Sequence, residues 1–209
     1  MMEKLIHISH PKGPMEGMLQ IPPAAKGIVL FAHGSGSSRL SPRNNFVSRH
    51  LNQAGLATLL IDLLTQEEDA IYQTRFDIDL LVQRLELVAE WLTKQPETQN
   101  LSLGLFGAST GAAAALGLAA KMGSKIKAVV SRGGRPDLAI PVLDKVTAPT
   151  LIIVGGHDFG VIELNEQAFA YLKSTKQFEI VPRATHLFEE PGALEEVATL
   201  AEKWFQTYL

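Results

Sequence analysis

Two glycines bracket a serine in Gly107-Ala108-Ser109-Thr110-Gly111, between the apolar stretch Leu103-Gly104-Leu105-Phe106 and an alanine-rich run that starts at Ala112. Strand, sharp turn and helix form the setting in which such a serine stands exposed at the end of a sheet, on a turn too crowded for side chains beside it. The helix start directs free N–H groups and its dipole toward Ser109, which favours negative charge there. The chemistry this permits is nucleophilic attack of a hydroxyl on an acyl carbon.

A serine hydroxyl attacks well only when an imidazole takes its proton. Of the six histidines, His186 lies in Arg183-Ala184-Thr185-His186-Leu187-Phe188, between the last apolar run and a helical pattern that begins near Pro191. His7 and His10 fall in an opening hairpin and His50 in a helix. His33 ends a strand, where it is expected to shape the following loop through hydrogen bonds. The imidazole needs a carboxylate to fix its tautomer, and the chain order serine, acid, histidine selects Asp158, which follows residues 150–154 through Gly155-Gly156-His157. Asp137, one strand earlier, is the rival acid; His157 reads as a loop hydrogen-bonder.

Acyl transfer also requires N–H donors for the developing oxyanion. Thr110, after the serine, supplies one amide. The second is expected from His33-Gly34-Ser35-Gly36, at Ser35, with Gly34 next in order. This glycine-rich run lacks the Lys-Ser/Thr ending of a phosphate-binding P-loop and the spacing of a dinucleotide fingerprint. In Ser131-Arg132-Gly133-Gly134-Arg135-Pro136-Asp137, Arg132 and Arg135 either overlook the pocket as substrate-binding groups for a carboxylate or pair with surface acids and cap a loop. The acids of Asp62-Leu63-Leu64-Thr65-Gln66-Glu67-Glu68-Asp69 read as a solvated loop. No His and carboxylate cluster has metal-ligand spacing.

The elements that must position these residues follow from periodicity. Leu5, Ile6 and Ile8, then Met18, Leu19 and Ile21, separated by Pro11, Gly13 and Pro14, predict an antiparallel hairpin. Residues 27–32 form a continuous apolar run that suits a strand buried on both faces. Further strands are predicted at 58–62, 101–106, 128–131, 150–154 and 178–181. Leu81, Leu85, Val88 and Leu92, and Leu194, Val197, Ala201, Phe205 and Tyr208, recur at helical spacing. Alternating strands and helices predict an α/β fold, a mostly parallel central sheet with helices on both faces and functional residues just beyond the strand ends.

The 209 residues, 46% hydrophobic and 20% charged, are expected to form a single domain over 1–209. A formal net charge of −3 with scattered Lys and Arg argues against nucleic acid as a partner. The chain has no cysteine, which excludes disulfides, thiolate metal sites and a cysteine nucleophile. No apolar run has the form of a secretory signal or a membrane span, so the expectation is a cytoplasmic protein without membrane association.

Four motifs in order, His33-Gly34-Ser35-Gly36, Gly107-Ala108-Ser109-Thr110-Gly111, Val154-Gly155-Gly156-His157-Asp158 and Ala184-Thr185-His186, give the chain a form that resembles the dienelactone hydrolase family of lidless α/β hydrolases. The resemblance implies the α/β-hydrolase fold without a cap domain and cofactor-free hydrolysis of small esters or lactones, with Ser109, Asp158 and His186 as nucleophile, acid and base. The namesake enzymes carry cysteine at the nucleophile; this chain carries serine. Only about 18 residues separate the strands on either side of 132–149, too few for a lid. The alternatives are a catalytically idle binding domain of the same fold, or an acyltransferase or perhydrolase working through the same acyl-enzyme.

Overall fold

A computed structural model describes all 209 residues. The central sheet has eight strands: β1 (Met2–Ile8), β2 (Met15–Ile21), β3 (Gly27–Ala32), β4 (Ala57–Ile61), β5 (Ser102–Ala108), β6 (Ile126–Arg132), β7 (Thr150–Gly155) and β8 (Lys176–Val181). Their spatial order is β1-β2-β4-β3-β5-β6-β7-β8. The opening hairpin is antiparallel and β2 runs antiparallel to β4, whereas every pair from β4 to β8 is parallel.

Alternation along the strands explains the two-sided core, because successive side chains point to opposite faces. Leu30, Leu59, Leu105, Val129 and Ile152 face one layer, formed by α3 (Ile78–Leu92), α4 (Thr110–Met122) and α6 (Phe159–Tyr171). Val29, Phe31, Phe106, Val130 and Ile153 face the other, formed by α1 (Pro42–Gln53) and α7 (Ala193–Tyr208). The small residues of α4 let it lie close to the sheet, and Ala112, Ala113, Ala114 and Ala115 are fully buried. No helix is long and apolar enough to cross a membrane.

The order β4-β3-β5 has a direct consequence for the site. The chain moves from β3 to one neighbour, β4, and later returns to the other side of β3 as β5, so the loops after β3 and β5 open onto the same point of the carboxyl edge. Such switch points are where open α/β sheets bind ligands. Between β6 and β7 the chain makes only a 3₁₀ turn over Pro136–Ala139 and the short α5 (Ile140–Leu143), with no cap domain.

One sequence expectation needs correction. Glu67 is exposed, but the acids after β4 are not all solvated. Thr65 and Glu68 make a reciprocal capping box for the short α2 (Gln66–Asp69), and Glu68 is buried against Arg84 of α3 at 2.6 Å. A threonine with glutamate three residues later is the sequence signal for this cap. Asp62 is likewise engaged, by Arg39, which also reaches Glu16 at 2.6 Å.

Candidate active site

Ser109 ends β5 and caps α4 with φ +52° and ψ −125°. A non-glycine residue in this region carries about 1–3 kcal/mol of strain, held by the structure around it. That structure is backbone on every side. A Cβ on Gly107 would collide with Ala112 Cα, and one on Gly111 with the carbonyl oxygen of Ala32. The Ser109 carbonyl accepts from the N–H groups of Ala112 and Arg135, each at 3.0 Å, and its own N–H donates to Arg132 at 3.4 Å. The elbow is thus fixed by α4 on one side and by the end of β6 on the other.

The chain after β6 leads from the elbow to the imidazole. Gly133, at φ +50°, passes so close to the loop after β8 that a Cβ there would sit 3.2 Å from the His186 carbonyl oxygen and 3.6 Å from its ring Cε1. His186 donates from Nδ1 to Asp158 Oδ2 at 2.6 Å, a short, charge-assisted bond that fixes the tautomer with Nε2 as the acceptor. Asp158 is brought there by two backbone bonds: the His157 N–H reaches Ala184 at 2.9 Å, and the Asp158 N–H reaches Gly155 at 3.0 Å. The Asp158 side chain is 16% exposed and that of His186 is 38% exposed, so the pair is shielded at the carboxylate and open at the imidazole.

Asp137, the rival acid, is held elsewhere. Arg135 grips it through two parallel bonds, Nε to Oδ1 at 2.9 Å and Nη2 to Oδ2 at 2.8 Å. The Asp137 bonds raise the Arg135 pKa above its ordinary value. Arg135 therefore fits the loop-pairing alternative. Arg132 is buried. β6 turns Ala128, Val130 and Arg132 to the α1/α7 face, where the Arg132 guanidinium lies 5.7 Å from the Phe188 ring centroid and donates to Asn44 Oδ1 at 3.0 Å. Its Nε has no acceptor. Desolvation, with Arg43 nearby, lowers its pKa to about 10. Arg132 thus packs beneath the His186 loop, whose Phe188 adopts φ +55°. Sequence reading missed this contact, as it missed Asn165, whose Nδ2 fixes the Gly134 carbonyl at 2.9 Å.

On the other side, Gly34 packs against Ser109 itself: a Cβ there would stand 2.9 Å from Ser109 Cβ. His33 is 7% exposed. It donates from Nδ1 to the Gly34 carbonyl at 3.0 Å and accepts at Nε2 from the Leu63 N–H at 3.1 Å, which is the loop-shaping role expected of it. Burial lowers its pKa and keeps it neutral. The Ser35 N–H donates to Thr110 Oγ1 at 2.9 Å, so this expected oxyanion donor has a partner within the protein. Thr110 begins α4, where the first N–H groups have no intrahelical acceptor. A groove of about 350 Å³, between α3, α4 and α5, is lined by Val82, Gly117, Leu138 and Val142 and includes neither Ser109 nor His186.

Known proteins share this architecture. Residues 15–209 match the model of the "Dienelactone hydrolase family". A crystal structure of dienelactone hydrolase from Anabaena variabilis is 57% identical, with a TM-score of 0.96 over 100% of this chain and 98% of that one. An α/β serine hydrolase without lid from Xanthomonas campestris shares the fold at 18% identity, with a TM-score of 0.77 over 98% and 94% of the two chains. Curated proteins of Mycobacterium tuberculosis named "Putative phosphoribosyl transferase" are 56% identical over 196 residues, 94% of this chain but 44% of theirs. The chain thus spans less than half the length of these curated relatives. A family match over nearly its whole length, on the sheet and elbow just described, means that the chain belongs to the dienelactone hydrolase family.

Proposed function

We propose that this chain is a serine hydrolase that cleaves small carboxylic esters or lactones through an acyl-enzyme on Ser109, without a cofactor. The observation that carries the reading is the Asp158–His186 hydrogen bond of 2.6 Å, in a loop packed on Gly133, just past the β6 end that is bonded to the strained Ser109 turn. In the first half-reaction His186 Nε2 takes the Ser109 proton as Oγ bonds to the acyl carbon, and Asp158 stabilises the imidazolium. The tetrahedral oxygen faces the Thr110 amide at the start of α4 and the loop after β3. His186 then returns the proton to the leaving alkoxide and the acyl-enzyme remains. In the second half-reaction His186 deprotonates water, which releases the acid and restores Ser109.

Family membership supports hydrolysis over an idle fold. The transferase name belongs to proteins more than half of whose length lies outside the match, and it is not carried over here. The glycine-rich residues 33–36 of this chain face the serine elbow, a place suited to an oxyanion. With p-nitrophenyl acetate in excess, an acyl-enzyme that forms faster than it hydrolyses yields a burst of one p-nitrophenol per protein followed by slower turnover, and Ser109→Ala removes both phases. Linear release with no burst, retained in Ser109→Ala, would overturn the reading.

A further inference from the structure

Residues 33–38 and the helix behind Ser109 come from separate parts of the chain, and one hydrogen bond joins them: Ser35 N–H to Thr110 Oγ1, at 2.9 Å. The other bonds of the loop turn inward or reach β4. Ser37 donates to the Gly34 carbonyl at 3.1 Å, His33 closes on the same carbonyl, and Leu63 donates to His33. None of these sets the distance between the loop and the nucleophile. The bond to Thr110 does, because it ties the peptide that follows Gly34 to the first residue of α4, and Gly34 is the residue packed on Ser109.

Thr110 Oγ1 could instead occupy the place that a substrate oxygen takes. Its surroundings argue for a brace. Thr110 is 1% exposed, and the crevice it shares with Gly34, Ser35, Gly36 and Arg75 holds only about 10 Å³, room for one water molecule at most. Its χ1 is stiff because the side chain is β-branched. A hydroxyl enclosed in this way lies behind the loop, away from the open side on which His186 is exposed. The Gly34 N–H, by contrast, has no acceptor within the protein.

We propose that Thr110 is a positioning residue: its hydroxyl holds the Ser35 N–H and so fixes the loop against Ser109, leaving the Gly34 N–H, with the Thr110 amide, to meet the tetrahedral oxygen. One side chain then sets both halves of the oxyanion site, its backbone donating directly and its hydroxyl placing the partner loop. This rests on Ser109 being the nucleophile. Loss of one oxyanion donor lowers kcat about 10²–10³-fold, and a donor displaced rather than lost should cost less, on the order of 10–100-fold.

The test is pre-steady-state release of p-nitrophenol from p-nitrophenyl acetate by the wild-type protein, Thr110→Val and Thr110→Ser. Valine keeps the shape and removes the acceptor; serine keeps the acceptor. The expected result is the same fraction of molecules titrated to completion by a fluorophosphonate in all three, an acylation rate roughly 10–100-fold lower in Thr110→Val at nearly unchanged KM, and recovery to within about threefold in Thr110→Ser. A merely structural loss would lower the titrated fraction and leave the rate per active molecule unchanged. Should Thr110→Val not fold, Thr110→Ala carries the same comparison. An acylation rate in Thr110→Val equal to or above that of the wild type would overturn the proposal, because the Ser35 N–H would then be the direct donor. A wild-type protein whose Ser109 stays unmodified by the fluorophosphonate would instead count against Ser109 as nucleophile.

Discussion

Asp158 and Asp137 differ by one strand in position and completely in company. Asp158 accepts the His186 Nδ1–H, whereas Asp137 accepts two bonds from Arg135 and none from the imidazole. Asp158→Asn should therefore lower kcat for ester turnover by roughly 10²–10⁴, through loss of the tautomer and of imidazolium stabilisation. Asp137→Asn should change kcat by less than about tenfold, since the Arg135 side chain is a third exposed and its ion pair is screened. Steady-state kinetics of the two variants decide; a severe Asp137→Asn beside a mild Asp158→Asn would reverse the assignment. At this scale the sequence was informative where a residue type is tied to a motif, as at Ser109 and His186. Arg132 was not legible in that way. Whether a strand-end side chain faces pocket or core depends on its parity along β6 and on which helix lies beneath, and its partners Asn44 and Phe188 come from distant segments.

At the scale of elements, the strands were readable because their apolar runs are continuous, and the helices because their stripes recur every three or four residues. The junctions were less so. His33 joins the end of β3 to the chain after β4 by accepting from Leu63, a contact that no local pattern encodes. It also gives the fold a pH dependence. Burial lowers the His33 pKa below 6.5, although its Gly34 bond and the charges of Asp62 and Asp69 act the other way. Above about 6.5 both the folded and unfolded chains hold it neutral. Below that value the unfolded chain binds a proton that the fold resists, so the stability from neutral His33 is fully present above 6.5 and is lost as pH falls toward the lowered folded value. Carboxylates with lowered pKa, such as Glu68, add their own loss only near and below 4.5. Urea midpoints should therefore drop between pH 7.5 and 5.5, and the drop should be smaller in His33→Asn, which cannot titrate. An identical drop in the variant would exclude His33 as its source.

For the molecule as a whole, the sheet order and the short β6–β7 connection leave the carboxyl edge open. No cap supplies a roof for a long acyl chain, and each methylene left in water forgoes about 0.8 kcal/mol of binding. Short-chain p-nitrophenyl esters should thus be hydrolysed with higher kcat/KM than long-chain ones from acetyl to decanoyl; a steady rise with chain length would require an apolar pocket that this architecture does not provide. The openness was legible from the roughly 18 residues between two strands, and residues 33–36 were expected beside Ser109, but the Ser35–Thr110 bond was not legible, because it joins segments that only the strand order brings together. The proposed chemistry requires an activated Ser109, which needs elbow, base and oxyanion donors together. Labelling the intact protein with a fluorophosphonate and mapping the modified peptide tests this most directly. The expected result is one adduct, on Ser109, suppressed in His186→Ala; an unmodified Ser109 with labelling at another residue would contradict it.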